Sequence, residues 1–310
     1  MQSIPAARGV TGRLSPEALA YAGLTLSTFG WASAFIAGKV VLAEITPLPA
    51  AAARYAVAAL LLLPFAMRRR PTLRHFSNAV SPLLAMVVAG GVLYPWLFLV
   101  ALSRTTATNT ALLVALNPVL TLVLSPLVGE RLQARHIGGV TLALTGAALV
   151  ITAGRWEDVA HLAALALNSG DLLAVAAALS WAVFNLASRR VVVHLTASFT
   201  NCAIYGAGSL AFFLLAWPEH TGAQLTAASD AALMCLLSMA VLSSVMAGQL
   251  FLFGVRTVGV NRTVVFVYLV PVLTAAAAAP VLHETFTVAQ GLGGAGVLAG
   301  VYWTTRRPAR

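Results

Sequence analysis

A chain of 310 residues that is 60% hydrophobic and 9% charged cannot clothe a water-facing surface, since soluble domains are about 25% charged. Composition therefore excludes a soluble enzyme or binding module, and apolar runs without alternation exclude a membrane β-barrel. The formal net charge of +10 would suggest a nucleic-acid partner for a soluble protein. Here the cations stand between apolar runs, where they act as topology determinants, and no nucleic acid is expected.

Residues 1–16 carry Arg8 and Arg13 without periodicity and read as a cytoplasmic tail. The first apolar run, 17–43, contains Ala32-Ser33-Ala34, which mimics a signal-peptide cleavage site. The run continues past that site, so it is kept as a membrane span. Further spans are expected at about 48–67, 77–101, 106–128 and 135–153. A polar extracytoplasmic connection, 154–170, precedes spans at about 171–189, 198–217, 230–254, 261–281 and 287–304, and residues 306–310 form a basic cytoplasmic tail. Each run approaches the roughly twenty residues that a bilayer-crossing helix needs. The expectation is an all-α integral membrane protein of ten transmembrane helices.

The stretch from Arg104 to Glu130 returns as Arg256 to Glu284. In both, Arg-Thr opens the stretch, Asn109 or Asn261 follows, and an apolar run carries two prolines to a closing glutamate. Pro118 answers Pro271, and Pro126 answers Pro280. A proline inside a helix cannot donate to the carbonyl four residues earlier, which frees the carbonyls of Val114 and Val267 near mid-depth. Duplicated, proline-interrupted hydrophobic segments point to the substrate site of a secondary transporter, and Pro118 and Pro271 are the expected hinges. Trp31 pairs with Trp181, Lys39 with Arg189, Thr46 with Thr196 and Tyr55 with Tyr205, each 150 residues apart; Gly146 pairs with Gly300. Two repeats, 17–153 and 171–305, each hold five helices. An odd number forces the second to enter the membrane from the opposite side.

Charge placement agrees. With the N-terminus inside, Arg8, Arg13, Arg68, Arg69, Arg70, Arg74, Arg131, Arg135, Arg189, Arg190, Arg256, Arg262, Arg306, Arg307 and Arg310 are cytoplasmic, which leaves Lys39, Arg54, Arg104 and Arg155 for the far side. Both termini are then cytoplasmic. Cys202 and Cys235 fall inside spans and indicate no disulfide framework.

No P-loop, HExxH or metal-ligand spacing is present, and no cofactor is expected. Gly291, Gly293 and Gly296 spell GxGxxG within an apolar run without a preceding strand, so they read as helix-packing glycines. Glu130 and Glu284 fall at helix ends and read as structural residues, for example as caps for the free amides of the next helix. Lys39 and Arg104 can snorkel, and Arg54 is expected to pair locally, for example with Glu44, with a gating role as the alternative. The polar and aromatic residues near mid-depth are the candidate substrate-binding set. They are Trp31, Ser33, Tyr94, Trp96 and Asn117 from the first half, and Trp181, Asn185, Asn201, Tyr205, Gln249 and Tyr268 from the second. Apolar walls with a few amides and rings describe a pocket for a small, partly aromatic solute.

Residues 17–305, with Trp31, Trp181 and the paired RTTATNTALLVALNPVLT…GERL and RTVGVNRTVVFVYLVPVLT…HETF stretches, resemble the drug/metabolite transporter superfamily, specifically its EamA-type exporters. Among these the chain is most similar to exporters of amino acids, including aromatic ones, of the bacterial inner membrane. The resemblance implies a central cavity lined by helices one to four and six to nine, with helices five and ten peripheral. It implies a small-molecule partner, an amino acid or similar metabolite, carried across the lipid bilayer by a functional monomer. Drug or other metabolite efflux and lipid scrambling are the alternatives. All carboxylates and histidines fall near or beyond span ends, so export without obligatory ion coupling is expected.

Overall fold

The computed structural model describes residues 15–104, 113–152, 157, 169–282 and 287–306. The expectations for Asn109, Arg155, Glu284, the 1–14 and 307–310 ends, and nearly all of the 154–170 connection lie outside the described residues, as do the side chains of Lys39 and Pro280. Among the described residues every regular element is a helix. Helix α1 is Pro16–Leu42 and α2 is Pro47–Arg68. Leu73–Met86, Val87–Leu93 and Tyr94–Arg104 run on as α3. Asn117–Leu124 and the 3-10 turn Ser125–Val128 make α4, and α5 is Ala134–Thr152. Helix α6 is Ser169–Val191 and α7 is Ala197–Leu215. A short helix, Thr221–Ala227, leads into α8, built of Asp230–Ser238, Met239–Met246 and Ala247–Val258. Val260–Val264, the 3-10 turn Val265–Tyr268 and Leu269–Leu282 make α9, and α10 is Val288–Thr305.

Among the described residues six stretches are long and apolar enough to cross a membrane by length and composition: Pro47–Arg68, Leu73–Phe98, Ala134–Thr152, Ser169–Val191, Ala197–Leu215 and Asp230–Val258. Several helices start where a hydroxyl satisfies a free amide of the first turn. Ser15, Thr72, Thr196 and Ser229 accept from Ala18, His75, Phe199 and Ala232 respectively. Thr287 and Gln290 form a full capping box at α10. Pro16 and Pro47 occupy first-turn positions, where their missing N–H costs nothing.

Helices α3 and α8 each widen into a π-helical segment, Val87–Leu93 and Met239–Met246. A partner helix presses on each. Ser180 of α6 donates to the Ala89 carbonyl at 2.9 Å. A Cβ on Gly30 of α1 would come within 2.6 Å of the Leu242 carbonyl oxygen. The two contacts are equivalent, since Gly30 and Ser180 are 150 residues apart and Ala89 and Leu242 are 153 apart.

The packing pattern repeats in the same sense. Helix α1 packs on α8 and α9, α6 packs on α3 and α4, α2 packs on α7, and α5 packs on α10. Exchanging each helix for the one five places on returns the same set of pairs. Where α5 meets α10 the backbones touch through glycines. A Cβ on Gly139 would lie 2.8 Å from the Gly300 carbonyl oxygen, and one on Gly146 would lie 2.5 Å from that of Gly293. Gly293 is thus a packing residue, as the apolar context of its GxGxxG pattern indicated. Between α2 and α7, Ser209 donates to the Ala52 carbonyl at 3.0 Å, and the Tyr55 and Tyr205 rings meet at 5.0 Å.

Candidate functional site

A row of rings crosses the middle of the bundle. From Trp31 on α1, ring centroids step 5.5 Å to Phe251 on α8 and 6.3 Å to Phe184 on α6. The row continues 4.6 Å to Trp181 and 4.7 Å to Tyr94 on α3. Phe184 lies flat on Gly90 of the α3 π segment, so close that a Cβ there would sit 2.2 Å from the ring. Trp31, Tyr94 and Trp181 are thereby joined into one aromatic surface. Phe184 and Phe251 connect them, although neither was a sequence candidate. A phenylalanine in an apolar run carries no mark that separates it from a lipid-facing one.

Beside α2 and α7 lies a polar cluster. Tyr205 donates its hydroxyl to the Ser244 carbonyl at 2.9 Å, using a backbone acceptor in the widened turn of α8. Arg54, partly buried, crosses from α2 to the Ser244 and Ser243 hydroxyls at 2.8 and 2.9 Å, with its guanidinium carbon 5.8 Å from the Tyr55 ring centre. This corrects the expected pairing with Glu44. The Glu44 carboxylate instead accepts from the Ser229 backbone amide at 2.6 Å and hydroxyl at 2.7 Å. Those bonds hold its carboxyl below the usual carboxylate range.

The candidate amides are spread through the interior. Asn117 donates to the Val114 carbonyl at 3.2 Å, which is the acceptor that Pro118 leaves free. Thr121 donates to the Asn117 carbonyl at 2.7 Å, and Asn185 of α6 donates to the Thr121 hydroxyl at 3.0 Å. Gln249 accepts from Ser198 at 3.4 Å. Among the described residues, Asn117 Oδ1, Asn185 Oδ1, Asn201 Nδ2, Gln249 Nε2 and the Tyr268 hydroxyl are buried without a partner. Burial of an unpaired polar group costs about 1–3 kcal/mol each, so these unpaired acceptors and donors suit an interior that receives a polar solute. Pro118 is buried and Pro271 half-buried, next to the backbone irregularities before Asn117 and over Val265–Tyr268.

Ser33 and Trp96 are not brought to this set. Ser33 is exposed on the α1 stripe that includes Leu26 and Phe29, and it donates to the Gly30 carbonyl of its own helix at 3.0 Å. Trp96 is 42% exposed on α3.

Glu130 sits at a helix end in an ion pair: it accepts from Arg189 of α6 at 2.6 Å. Gly259, at φ 85°, lies so close that a Cβ would meet the Glu130 carboxylate at 3.2 Å. A polar cavity of about 410 Å³ opens here, lined by Glu130, Arg131, Arg135, His136, Asn261 and Arg262 among others. Asn261 donates to Ser125 at 3.2 Å, Arg190 donates to the Leu127 carbonyl at 3.2 Å, and Arg135 donates to the Arg306 carbonyl.

Broken apolar helices around an aromatic and amide-lined interior are the build of a membrane transporter. The chain belongs to the EamA-like transporter family, which matches residues 18–152 and 168–306. It is similar to an uncharacterized transporter of Archaeoglobus fulgidus, 27% identical over 92% of this chain and 96% of that one. A protein of Salmonella typhimurium described as a probable amino-acid metabolite efflux pump is 27% identical over 58% of this chain and 62% of its own length. A solved crystal structure shares the fold at a TM-score of 0.74 and 17% identity, across 95% of this chain and 98% of that one.

Proposed function

We propose that this membrane protein exports small metabolites, foremost amino acids, across a bacterial plasma membrane by alternating access, as a monomer and without obligatory ion coupling. The observation that carries the reading is a continuous row of rings in an interior that also holds buried amide and hydroxyl groups without partners among the described residues. Amides suit the charged ends of a zwitterion, and rings suit its side chain. The description of the Salmonella relative as an amino-acid metabolite efflux pump supports the same class.

Two inverted five-helix halves are part of this reading. Their support is the packing pattern that maps onto itself, the π segments at matching positions of α3 and α8, and the two matches of the family to one chain. Both termini then lie in the cytoplasm. Introduced cysteines near Arg69 and near His220 should label from opposite faces; labelling from one face overturns the topology.

The support for independence from ions is where the acids stand. Among the described residues Glu17, Glu44, Glu130, Asp171, Glu219 and Asp230 are at helix ends or in loops, away from the depth at which a proton carrier keeps its titratable group. The decisive measurement is counterflow of labelled amino acids in liposomes without pH or sodium gradients, with a pH dye inside. Counterflow without internal acidification is expected. Movement that requires a proton gradient rules out uncoupled export, and absence of movement for every amino acid rules out the substrate class.

A further inference from the structure

We infer that Arg54 is the carboxylate-recognising residue of the transport path, so that the solutes carried are those with a free carboxylate. The inference rests on the transporter reading above and gives its substrate a chemical class.

Depth is the first ground. Arg54 stands two turns into α2 and reaches Ser243 and Ser244, halfway along α8. Topology accounts for arginines in loops, and snorkelling accounts for those at span ends. Neither accounts for a cation held at this depth. Ionised side chains inside a membrane face a partner or a cavity and mark function.

The second ground is the edge that Arg54 presents. A guanidinium carries five N–H donors in a planar fork. Nε donates to Ser244 Oγ and Nη2 to Ser243 Oγ, so the serines occupy the side edge. The terminal edge, formed by Nη1 and the second N–H of Nη2, makes no hydrogen bond among the described residues. That edge matches the two oxygens of a carboxylate in a bidentate pair. Hydroxyls orient the cation without neutralising it. The acids at the start of α2 are engaged elsewhere, Glu44 with Ser229 and Glu219 with Thr46.

The third ground comes from the chain's own duplicate. The position 150 residues after Arg54 is Ile204, and the positions 153 before Ser243 and Ser244 are Gly90 and Gly91. Ile204 packs on Gly91 so closely that a Cβ there would lie 3.2 Å from its side chain. The same helix crossing is thus made in one half by a buried isoleucine on glycine and in the other by an arginine on serines. The fold needs no charge at this crossing, and the charge is a property of one half alone.

The test uses the purified full-length chain with two readouts. The first is the shift in melting temperature caused by each neutral amino acid and, separately, by its carboxamide. The second is counterflow in liposomes with the same pairs as competitors. Free acids should stabilise and compete, and carboxamides should do so about ten- to a hundredfold more weakly, as expected for a lost charged hydrogen-bond pair. Arg54→Gln should abolish the preference for the acid. Arg54→Lys should retain part of it, since the charge remains without the fork. Ser243→Ala with Ser244→Ala should weaken apparent affinity while the preference persists. The acid-against-amide comparison on the unaltered chain needs no substitution, so it stands even if an Arg54 variant fails to fold. Equal responses to acid and amide, no response to any acid, or an undiminished preference in Arg54→Gln overturns the inference. Arg54-dependent binding without counterflow upholds the carboxylate site and overturns the transporter reading; counterflow indifferent to the carboxylate does the reverse.

Discussion

Glu44 and Arg54 lie ten residues apart with opposite charges, yet the fold gives them different partners. Glu44 sits at the end of α8, where the Ser229 amide and hydroxyl both donate to it and Ser229 in turn accepts from Ala232. A carboxylate is favoured there by the free amides and the helix dipole. Its pKa is depressed below the ordinary 4.5, first by the Ser229 backbone bond and then by its hydroxyl. A depressed folded value means that the stabilising contribution is fully present above the unfolded pKa. It disappears as pH falls through the folded pKa. Protection factors of the 221–229 amides, corrected for intrinsic exchange, should therefore fall on acidification below that range. Glu44→Gln should lower them already at neutral pH and flatten the pH dependence; an unchanged profile in that variant would show that Glu44 does not tie the two loops. Partner choice of this kind was not legible in the sequence, because proximity along the chain favours Arg54 while the competing donor comes from α8. Trp31, Trp181 and Tyr94 were legible as interior aromatics, since tryptophan and tyrosine are out of place at mid-depth unless something engages them. Ser33 looked the same on paper. Its hydroxyl is satisfied by its own helix, which no spacing reveals.

At the scale of single helices, the prolines were legible and their consequences only half so. Pro118 frees the Val114 carbonyl, and Asn117 supplies the donor from one residue away. In the second copy the residue before Pro271 is Val270, which has no side-chain donor to offer; there the chain takes a 3-10 course over Val265–Tyr268 instead. The two breaks are thus made by different means. Pro118→Ala and Pro271→Ala should each leave a folded protein that transports more slowly. Asn117→Leu should in addition lower stability, by about 1–3 kcal/mol for a carbonyl left unpaired, while Val270→Leu should not. Thermal unfolding and counterflow on the four variants check this, and wild-type rates in both proline variants would make the prolines packing features. The π segments of α3 and α8 were not legible at all. A π turn changes the hydrogen-bond register without altering composition, so Val87–Leu93 and Met239–Met246 read as ordinary apolar helix.

Across the whole molecule, most helix limits followed from runs of apolar residues punctuated by hydroxyls and prolines, because a bilayer imposes both length and polarity. What the interior does with its polar groups depends on pairs far apart in sequence, such as Glu130 with Arg189 and Arg54 with Ser244, and no local pattern encodes these. One such pair has a mechanical meaning. Tyr55 and Tyr205 occupy matching positions and touch each other, as they would on the axis of the proposed inverted repeat. If the working cycle swaps the shapes of the two halves, points on that axis keep their separation throughout, like the pin of a seesaw. Measured against the same double-cysteine variant left unlinked, a short covalent tether between positions 55 and 205 should not slow counterflow. The same tether between positions 130 and 189, at the rim rather than the pin, should stop it. Arrest by the first tether would mean that the helices slide past each other there, and that the machine has no fixed pivot.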